Sequence, residues 1–466
     1  MTQSVVLQIG QCGNQVGRQF WERALKEHAE YNEDGTFDES LNTFFRNVDT
    51  RFTPARDLPL KRGAQIASLR ARAVLIDMEE GVVNEVLSGP LADVFDTHQT
   101  VTNVSGSGNN WAVGYFTYGQ THKEQISDTV RIAVEQCDCL QSFILLHSMG
   151  GGTGSGLGTY VLELLHDEYP SVYRFVTAVY PSKDDDVITS PYNSVLAMHQ
   201  LQQHADCVIP VENQALQDIV EVVDHQTKGR LKRNSAVTGP DTKKSKPWDR
   251  MNSIVANTLL NMTSSSRFAG SLNVDVNEIT TNLVPFPGMH FLTCSLSPLY
   301  DLADVRVPPR RLDQMFSDAF DPSFQLAKCH PRKGILTACA LMVRGNVEVS
   351  DIRRNIDRVK SKLHFVKWNQ EGWKTGLCAQ PPVGQRHALL CMANNTCLHE
   401  TFSNVRSRFL QLYRKRAFRH HYTTHGMDED RFTAALASLD HLLSLYSDVE
   451  ATSDSEPQQL PDIDVL

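Results

Sequence analysis

Residues 143–166 read FILLHSMGGGTGSGLGTYVLELLH. The apolar run at 143–146 is typical of a buried strand, and the amphipathic pattern after the loop predicts a helix. Between them, residues 150–156 include five glycines. Glycine lets the backbone adopt positive φ and approach a ligand closely. Because a glycine-rich turn that leads into a helix N-terminus binds anions, the stretch predicts a strand, a di- or triphosphate loop and a helix.

The loop does not fit two standard nucleotide motifs. The P-loop requires a lysine after its last glycine, but Leu157 follows Gly156 here. The dinucleotide motif GxGxxG requires a glycine spacing that no register of this loop supplies. A flexible Gly/Ser turn is the alternative interpretation, and the strand and helix that flank the loop so closely disfavour it.

Composition excludes several classes of protein. The chain of 466 residues has room for more than one domain, and its apolar share of 41% is that of a globular protein. A net charge of −9 argues against a general nucleic-acid binder. The ten cysteines include no CxxC pair, which favours free thiols in a reducing compartment. Since the chain starts with a strand and has no long apolar segment, we expect an intracellular protein with no membrane or nucleic-acid partner.

Several short apolar strands of the first half end in glycine, amide or carboxylate residues. The strands are predicted at 4–9, 73–77, 143–146, 175–180 and 207–211. The residues that follow or end them include Gly10, Gln11, Asp77, Glu79, Pro181 and Asn213. Alternation with helices predicts an α/β domain with a mostly parallel sheet, in which ligands bind beyond the carboxyl ends of the strands. We therefore expect these loops to converge on a nucleotide, with a metal near the carboxylates.

The pattern divides the chain into five parts. Residues 1–247 carry the loops just described, and 248–268 keep the apolar spacing of one helix. A second α/β region, 269–395, contains predicted strands at 289–296, 335–343, 363–368 and 387–393. Residues 396–447 contain two helices with apolar stripes, at 399–419 and 428–446. The acidic residues 448–466 are predicted to be a disordered tail.

A basic insert at 228–247 interrupts the first part. It contains one acid, Asp241, against Lys228, Arg230, Lys232, Arg233, Lys243, Lys244 and Lys246. Two interpretations stay open: a flexible loop that binds a partner, or a solvated loop that binds nothing.

The motifs of the chain resemble those of the tubulin superfamily. The glycine loop GGGTGSG is similar to the tubulin signature, as are GQCGNQ, GSGNNWAVG, SPYN and NLVPFP at residues 10–15, 106–114, 190–193 and 282–287. The matches are collinear over about residues 1–446, and several segments resemble the epsilon class most. The resemblance implies a tubulin/FtsZ-like α/β fold. Its parts are a Rossmann-like GTP-binding domain, a central helix, a second α/β domain and a C-terminal helical hairpin.

The resemblance also implies a role for individual residues in binding GTP or GDP. Gln11, Cys12, Gln15 and Asn109 would lie along the nucleotide, and the phosphates would be wrapped by Ser148, Gly150, Gly151, Gly152, Thr153 and Gly154. The guanine edge would be read by Asn213 and Asn252, with Trp248 stacked on the base. Asp186 lies in the ribose-side loop, where Ser190 replaces the glutamate of the family. Asp77 and Glu79 match the acidic loop near Mg²⁺, an ion that prefers oxygen ligands and keeps waters.

Hydrolysis in this family requires an acid from the next subunit. Glu278 occupies the position of the glutamate that alpha-tubulin inserts beside the γ-phosphate of its neighbour. A carboxylate in a closed interface can orient or deprotonate the attacking water. We therefore expect Glu278 to act in trans in a slow GTPase that depends on assembly. The alternative is a solvated loop acid without a catalytic role.

Departures from the family pattern indicate a specialised member. The loop at 300–309 is shorter than in beta-tubulin, the tail lacks a dense glutamate run, and the basic insert is additional. For the epsilon class the resemblance implies work at centrosomes, centrioles and basal bodies, where triplet microtubules are formed or kept. Implied partners are delta-tubulin, alpha- and beta-tubulin and centriolar proteins. Two alternatives are a non-polymerising GTP-bound adaptor that caps or bridges tubulin assemblies and a dinucleotide-dependent oxidoreductase, which the missing GxGxxG spacing disfavours.

Overall fold

The computed structural model describes residues 2–52, 55–61, 63–182, 185–231, 247–299 and 310–454. Three expectations therefore lie wholly or mostly outside the described residues. They concern the basic insert beyond residue 231, the shortened loop at 300–309 and the acidic tail beyond residue 454.

The first part of the chain is built around a parallel sheet. Its strands are β1 (Gln3–Ile9), β2 (Phe45–Asp49), β3 (Arg56–Asp57), β4 (Leu69–Ala71), β5 (Ala73–Asp77), β6 (Thr100–Thr102), β7 (Leu140–Ser148), β8 (Tyr173–Tyr180) and β9 (Cys207–Glu212). One sheet has the order β6, β5, β1, β7, β8, β9, and each neighbouring pair is parallel. β3, β2 and β4 form a small sheet of their own. The predicted mostly parallel sheet is confirmed.

Helices cover both faces of this sheet. They are α1 (Gly10–Tyr31), α2 (Glu39–Asn42), α3 (Glu80–Leu87), α4 (Gly119–Glu135), α5 (Gly158–Glu168), α6 (Ser190–His204) and α7 (Asn213–Leu231). Alternate residues of β1 face opposite sides, as the pleat of a strand requires. Val5 and Leu7 belong to one buried cluster and Val6 to the other, and all three are fully buried. The sheet is thus apolar on both faces, which is why its strands read as continuous hydrophobic runs.

The predicted helix at 248–268 is divided in two by the structure. α8 (Pro247–Met262) packs against α1, and the short α9 (Ser264–Arg267) follows. Thr263 lies between them, and its hydroxyl donates to the carbonyl oxygen of Leu259 over 2.8 Å. Such side-chain hydrogen bonds from a Ser/Thr run compete with helix continuation, which explains the break.

The second α/β region forms a mixed sheet. Its elements are α10 (Val276–Leu283), β10 (Thr293–Ser297), α11 (Leu312–Asp318), β11 (Ile335–Arg344), α12 (Val349–Lys360), β12 (His364–Phe365), β13 (Trp373–Cys378) and β14 (Ala388–Asn395). β14 lies between β10 and β11, and β11 also pairs with β12 and β13. The strand predicted at 363–368 is confined to two residues. The longer β13 was not predicted, because Gly376 in its interior weakens the strand signal.

Three helices end the described chain: α13 (Leu398–Tyr413), α14 (His420–Thr423) and α15 (Asp430–Asp454). The first was predicted to reach residue 419 but ends at Tyr413. Beyond it, Arg416 and Phe418 have left-handed φ angles of 55° and 61°, which no helix accommodates. α15 continues to Asp454, so the prediction of a disordered tail from residue 448 is wrong for 448–454. Val449 packs on the core and extends the apolar stripe.

No helix among the described residues is both long enough and apolar enough to cross a lipid bilayer.

Candidate nucleotide site

A cleft of about 580 Å³ opens at the carboxyl ends of the parallel strands. Its wall contains every residue predicted for the nucleotide or the metal except Asp186. These residues are Gln11, Cys12, Gln15, Asp77, Glu79, Asn109, Ser148, Gly150, Gly151, Gly152, Thr153, Gly154, Asn213, Trp248 and Asn252. The loops that follow β1, β5, β7, β8 and β9 all contribute to this wall. The structure thus brings together side chains that are far apart in sequence, at the sheet edge where ligands of parallel α/β folds bind.

The glycine loop has the close packing that its composition predicts. It continues as a π-helical turn, Thr153–Leu157, that leads directly into α5. Gly10 has a φ of +73°, and a Cβ there would lie 3.0 Å from the backbone nitrogen of Gly154. A Cβ on Gly154 would in turn lie 2.6 Å from Ser148 Oγ. Only glycine allows the turn after β1, at Gly10, and the glycine loop, at Gly154, to approach each other this closely. The N-terminal end of α5 follows the glycine loop directly, at the cleft.

Two hydroxyl groups connect the glycine loop to the Gly-rich turn that contains Ser107, in the segment between β6 and α4. Ser107 Oγ lies 2.9 Å from Thr153 Oγ1, and both residues line the cleft. Ser107 was not predicted as a site residue, although it belongs to the second Gly-rich turn that the sequence shows. Loop residues held by such hydrogen bonds lose less entropy when an anion binds, so the pair pre-organises the phosphate end.

Asn193, for which no role was predicted, holds together two loops that line the cleft. Its side-chain amide donates to the carbonyl oxygens of Gly150 and Asn109, each over 2.8 Å. Its Oδ1 accepts from the backbone N–H of Trp111 at 3.0 Å and from the hydroxyl of Tyr422 at 2.6 Å. Asn193 is fully buried, so these hydrogen bonds are formed without competition from water. The SPYN motif was its signal in the sequence, but a motif does not show which loops a side chain joins.

The other end of the cleft carries amides and an aromatic ring. Asn213 is the first residue of α7, Asn252 lies in α8, and both side chains are partly buried. A carboxamide offers a donor and an acceptor side by side, which is what the edge of a guanine base requires. Trp248 lies in the first turn of α8 with 58% of its surface exposed. A large ring left in water beside two amides is suited to stacking on a base.

The acidic part of the wall contains a buried carboxylate, that of Asp77. Asp77 is buried, and its Oδ1 accepts from the backbone N–H of Glu79 at 3.3 Å. Its Oδ2 is buried and has no hydrogen-bond partner among the described residues. Burial, with a smaller effect from the Glu79 charge, raises the pKa of Asp77 to about 6. A cation would satisfy this oxygen, so the residues fit a metal ion.

Two carboxylates, those of Asp77 and Glu79, line this part of the cleft. Within the described residues no cluster of three or more His, Cys, Asp or Glu side chains is arranged to hold a metal. Mg²⁺ is commonly held by one or two carboxylates together with waters and phosphate oxygens, and Asp77 and Glu79 match that requirement. Burial raises the pKa of the Cys12 thiol, which also lines the cleft, to about 12.

Of the two adjacent acids in the loop after β8, Asp185 lines the cleft and the predicted residue, Asp186, does not. Asp185 lines the cleft, with Oδ2 close to Gly150, whereas Asp186 is exposed outside it. Neighbouring residues of an irregular loop direct their side chains to different sides, and sequence alone does not decide between them. Other wall residues that were not predicted are Gly81, Val82, Gly108, Val179, Pro181 and Val187.

Glu278 lies far from the cleft of its own chain. It belongs to the first turn of α10, whose N-cap residue Asp275 is hydrogen-bonded to Gln141 near the start of β7. The cleft begins at Ser148, at the other end of the same strand. Six residues of extended chain lie between Gln141 and Ser148, so the two are seven steps of the strand, about 23 Å, apart. Glu278 therefore does not reach the nucleotide site of its own chain.

Comparisons with known proteins find similar sequences over most of the chain, and they point to the same family. A family profile described as "Tubulin/FtsZ family, GTPase domain" matches residues 3–221, and one described as "Tubulin C-terminal domain" matches residues 287–407. Two curated relatives are named "Tubulin epsilon chain". The chain is 57% identical to the one from Homo sapiens and 58% identical to the one from Mus musculus, across the whole of both chains in each case.

Proposed function

The chain belongs to the tubulin/FtsZ family, and from this premise we propose that it is a GTP-binding tubulin that completes its active site only by assembly. The family implies GTP or GDP as the ligand, other tubulins as partners and the cytoskeleton as the place of action. The roles of individual residues below are part of the proposal.

Guanine nucleotide occupies the cleft at the ends of β1, β5, β7, β8 and β9. The glycine loop and the N-terminal end of α5 bind the phosphates, and the amides of Asn213 and Asn252 read the base. Trp248 stacks on the ring, and Asp185 or Asp186 lies on the sugar side. Asp77 and Glu79 would hold Mg²⁺, which would supply positive charge beside the phosphates.

The single observation that carries the catalytic proposal is the separation of the cleft from Glu278. The two lie at opposite ends of β7, so each chain has half of an active site at each end. Joining unlike ends of identical or similar chains is a heterologous contact, which produces open filaments or heteromeric rows. In such a row Glu278 reaches the γ-phosphate side of its neighbour and orients the attacking water.

Two exposed aromatic residues of the second α/β region, which also carries Glu278, support a contact through this region. Phe286 follows α10, Trp368 precedes β13, and their ring centroids are 5.8 Å apart in an edge-to-face arrangement. They are 46% and 60% exposed. Aromatic side chains are enriched in protein interfaces, where they bury a large area with little loss of conformational entropy.

The cellular place and the specific partners are proposed from the likeness to epsilon chains. We place the protein at centrosomes, centrioles and basal bodies, in the formation or maintenance of triplet microtubules. Delta-tubulin, alpha- and beta-tubulin and centriolar proteins are the proposed partners.

The first experiment identifies the nucleotide. The purified chain is denatured, and the released small molecules are separated by ion-exchange chromatography. We expect guanosine di- or triphosphate in proportion to the protein. Release of a nicotinamide dinucleotide, of an adenine nucleotide or of nothing would contradict the proposed ligand.

The second experiment tests catalysis in trans. GTP turnover per subunit is measured against protein concentration, for the chain alone and with alpha/beta-tubulin added. We expect the rate to rise with concentration in at least one series and to be lost in Glu278→Gln. Glu371→Gln is the matched control, because Glu371 is an exposed acid of the same domain that also pairs with a lysine, Lys360. Turnover that is independent of concentration, or unchanged in Glu278→Gln, would contradict the proposal.

A non-polymerising adaptor that caps or bridges tubulin assemblies is the second candidate. The short loop at 300–309, which lies outside the described residues, favours it, since lattice tubulins use this loop for lateral contacts. An adaptor would retain guanine nucleotide without turnover at any concentration and with any tubulin added.

A further inference from the structure

Lys374 holds the Glu278 side chain at the surface of the second α/β region. Lys374 lies on β13, 96 residues further along the chain, and its ammonium group donates to Glu278 Oε2. The Lys374 side chain is 30% exposed and that of Glu278 is 46% exposed, so the pair is open to a docking partner. Asp275 caps α10 by accepting from the backbone N–H of Val276 at 2.7 Å, which fixes the turn that carries Glu278.

The ion pair between Lys374 and Glu278 is weak enough to be replaced by other contacts when an interface closes. A half-exposed lysine–glutamate pair contributes little to stability, because water screens it and both side chains lose rotamer freedom. The contact favours one orientation of the Glu278 carboxylate among those that its side chain can adopt. It is also weak enough that closure of an interface can redirect the carboxylate to a water molecule.

Charge gives a second reason for a cation beside Glu278. On the proposed function, the site that Glu278 approaches in trans would hold a triphosphate beside Asp77 and Glu79, both of which line the cleft. A bare carboxylate brought against these anions in a closed interface would be repelled, because like charges a few ångströms apart interact strongly at low effective dielectric. Lys374 enters the interface with Glu278, so the delivered pair carries no net charge.

We propose that Lys374 is a positioning residue for Glu278, which holds the carboxylate on the docking face and neutralises it while the nucleotide of a neighbouring subunit closes on it. This inference rests on the proposed trans GTPase. Lys374 acts through Glu278 and does not bind the nucleotide of its own chain, since it lies on β13 outside the wall of the cleft.

The test compares Lys374→Gln, Lys374→Arg and Lys374→Gln/Glu278→Gln with the wild-type chain in the turnover assay. We expect Lys374→Gln to lower turnover per assembled subunit by about tenfold, since a small misplacement of a reacting group can cost up to about 100-fold. Arginine at this position is expected to restore most of the rate. The double variant should be no slower than Glu278→Gln alone, because the two side chains act as one unit. Lys360→Gln, which breaks the lysine–glutamate pair with Glu371, is the matched control.

Assembly and nucleotide binding are measured in the same samples, by sedimentation and by retention of labelled GTP. We expect both to be nearly unchanged in Lys374→Gln. Loss of assembly with normal turnover per assembled subunit would overturn the positioning role and make Lys374 an ordinary interface residue. Loss of turnover in Glu278→Gln but not in Lys374→Gln would overturn this inference and leave the trans GTPase intact. Full turnover in Glu278→Gln, or no turnover in the wild type, would overturn both.

Discussion

The side-chain amide of Asn193 donates to the carbonyl oxygen of Gly150 over 2.8 Å. This bond joins α6 to the glycine loop, and the same amide binds the carbonyl oxygen of Asn109 in the preceding loop. Both loops line the nucleotide cleft. Because Asn193 also accepts from Tyr422 at 2.6 Å, one buried side chain connects the cleft to the helices that end the described chain.

Replacing Asn193 with aspartate tests this connection. An aspartate would keep the oxygen that accepts from Trp111 and Tyr422, but it would place a negative charge against the carbonyl oxygens of Gly150 and Asn109. Each buried polar group left without a hydrogen bond lowers the free energy of unfolding by about 1–3 kcal/mol. We therefore expect Asn193→Asp, and to a smaller degree Asn193→Ala, to weaken GTP binding by tenfold or more and to lower the thermal midpoint. Isothermal titration and thermal unfolding measure the two effects.

The control for this variant is Asn355→Ala. Asn355 is also buried, but its amide donates to Asp351 within α12, away from the cleft. It should lower stability without changing nucleotide affinity. Equal loss of affinity in both variants would mean that Asn193 acts through general stability only.

Trp248 provides a test of the base-binding end. Stacking of a base on an aromatic side chain is worth about 1–3 kcal/mol, so we expect Trp248→Ala to weaken guanine nucleotide binding by about 5- to 150-fold. Trp248→Phe should retain most of the affinity. Trp368→Phe is the matched control, because Trp368 is 60% exposed, against 58% for Trp248, and lies in the second α/β region outside the cleft wall.

The measurement is quenching of tryptophan fluorescence by added GTP. Quenching should disappear in Trp248→Phe and persist in Trp368→Phe. Persistence of the signal in Trp248→Phe would place the base elsewhere.

Much of the fold and the site was predictable because the relevant signals are local. The strand, glycine loop and helix at 143–166 are contiguous in the sequence. Other apolar strands end in polar residues, and in a parallel sheet the residues that follow the carboxyl ends of the strands lie at one edge, where ligands bind. The positions of Asp77, Asn213 and the glycine loop on one cleft wall follow from that rule together with the order of the strands.

The parts of the fold and the site that were not predicted depend on contacts between residues far apart in the sequence, which a local sequence pattern does not show. Asn193 meets Gly150 across 43 residues, and Lys374 meets Glu278 across 96. The choice between Asp185 and Asp186 depends on the direction of a loop side chain, which no periodicity describes. The end of α15 was misplaced because acidic composition at 448–454 suggested disorder, whereas the helix continues to Asp454 and the partly buried Val449 packs on the core.

A buried ion cluster between the two α/β parts predicts a large effect on stability. Glu27 of α1 pairs with Arg267 at 2.5 Å and with Arg344 of β11, and all three side chains are nearly inaccessible to water. Burial by itself would raise the pKa of Glu27, but the two guanidinium groups hold it below its usual value. The charged carboxylate is therefore the counter-ion on which two buried arginines depend.

We expect Glu27→Gln to lower the free energy of unfolding by about 3–5 kcal/mol, because it leaves buried positive charge uncompensated. Glu30→Gln, an exposed position on the same helix, should change it by less than about 0.5 kcal/mol. Urea denaturation followed by circular dichroism measures both. A loss below 1 kcal/mol in Glu27→Gln would show that water or another anion reaches the arginines.

Buried histidines make the fold sensitive to mild acid. Burial lowers the pKa of His147 from 6.5 to about 4, and burial together with Arg267 and Arg344 lowers that of His28 to about 2. Above pH 6.5 neither the folded nor the unfolded chain protonates His147, so its contribution to stability is constant there. As the pH falls from about 6.5 to about 4, the unfolded chain binds a proton that the folded chain does not. The free energy of unfolding must therefore fall, by an amount on the order of 3 kcal/mol for this one group.

The measurement is the urea midpoint of wild type and His147→Gln at pH 7 and pH 5. We expect the wild type to lose stability between the two values and His147→Gln to lose less, because glutamine does not titrate. The comparison uses the change with pH within each protein, so a general destabilisation of the variant does not affect it. An identical pH dependence in the two proteins would mean that the imidazole is protonated in the folded state, and the acid sensitivity would then have to come from His28 or from the other buried groups.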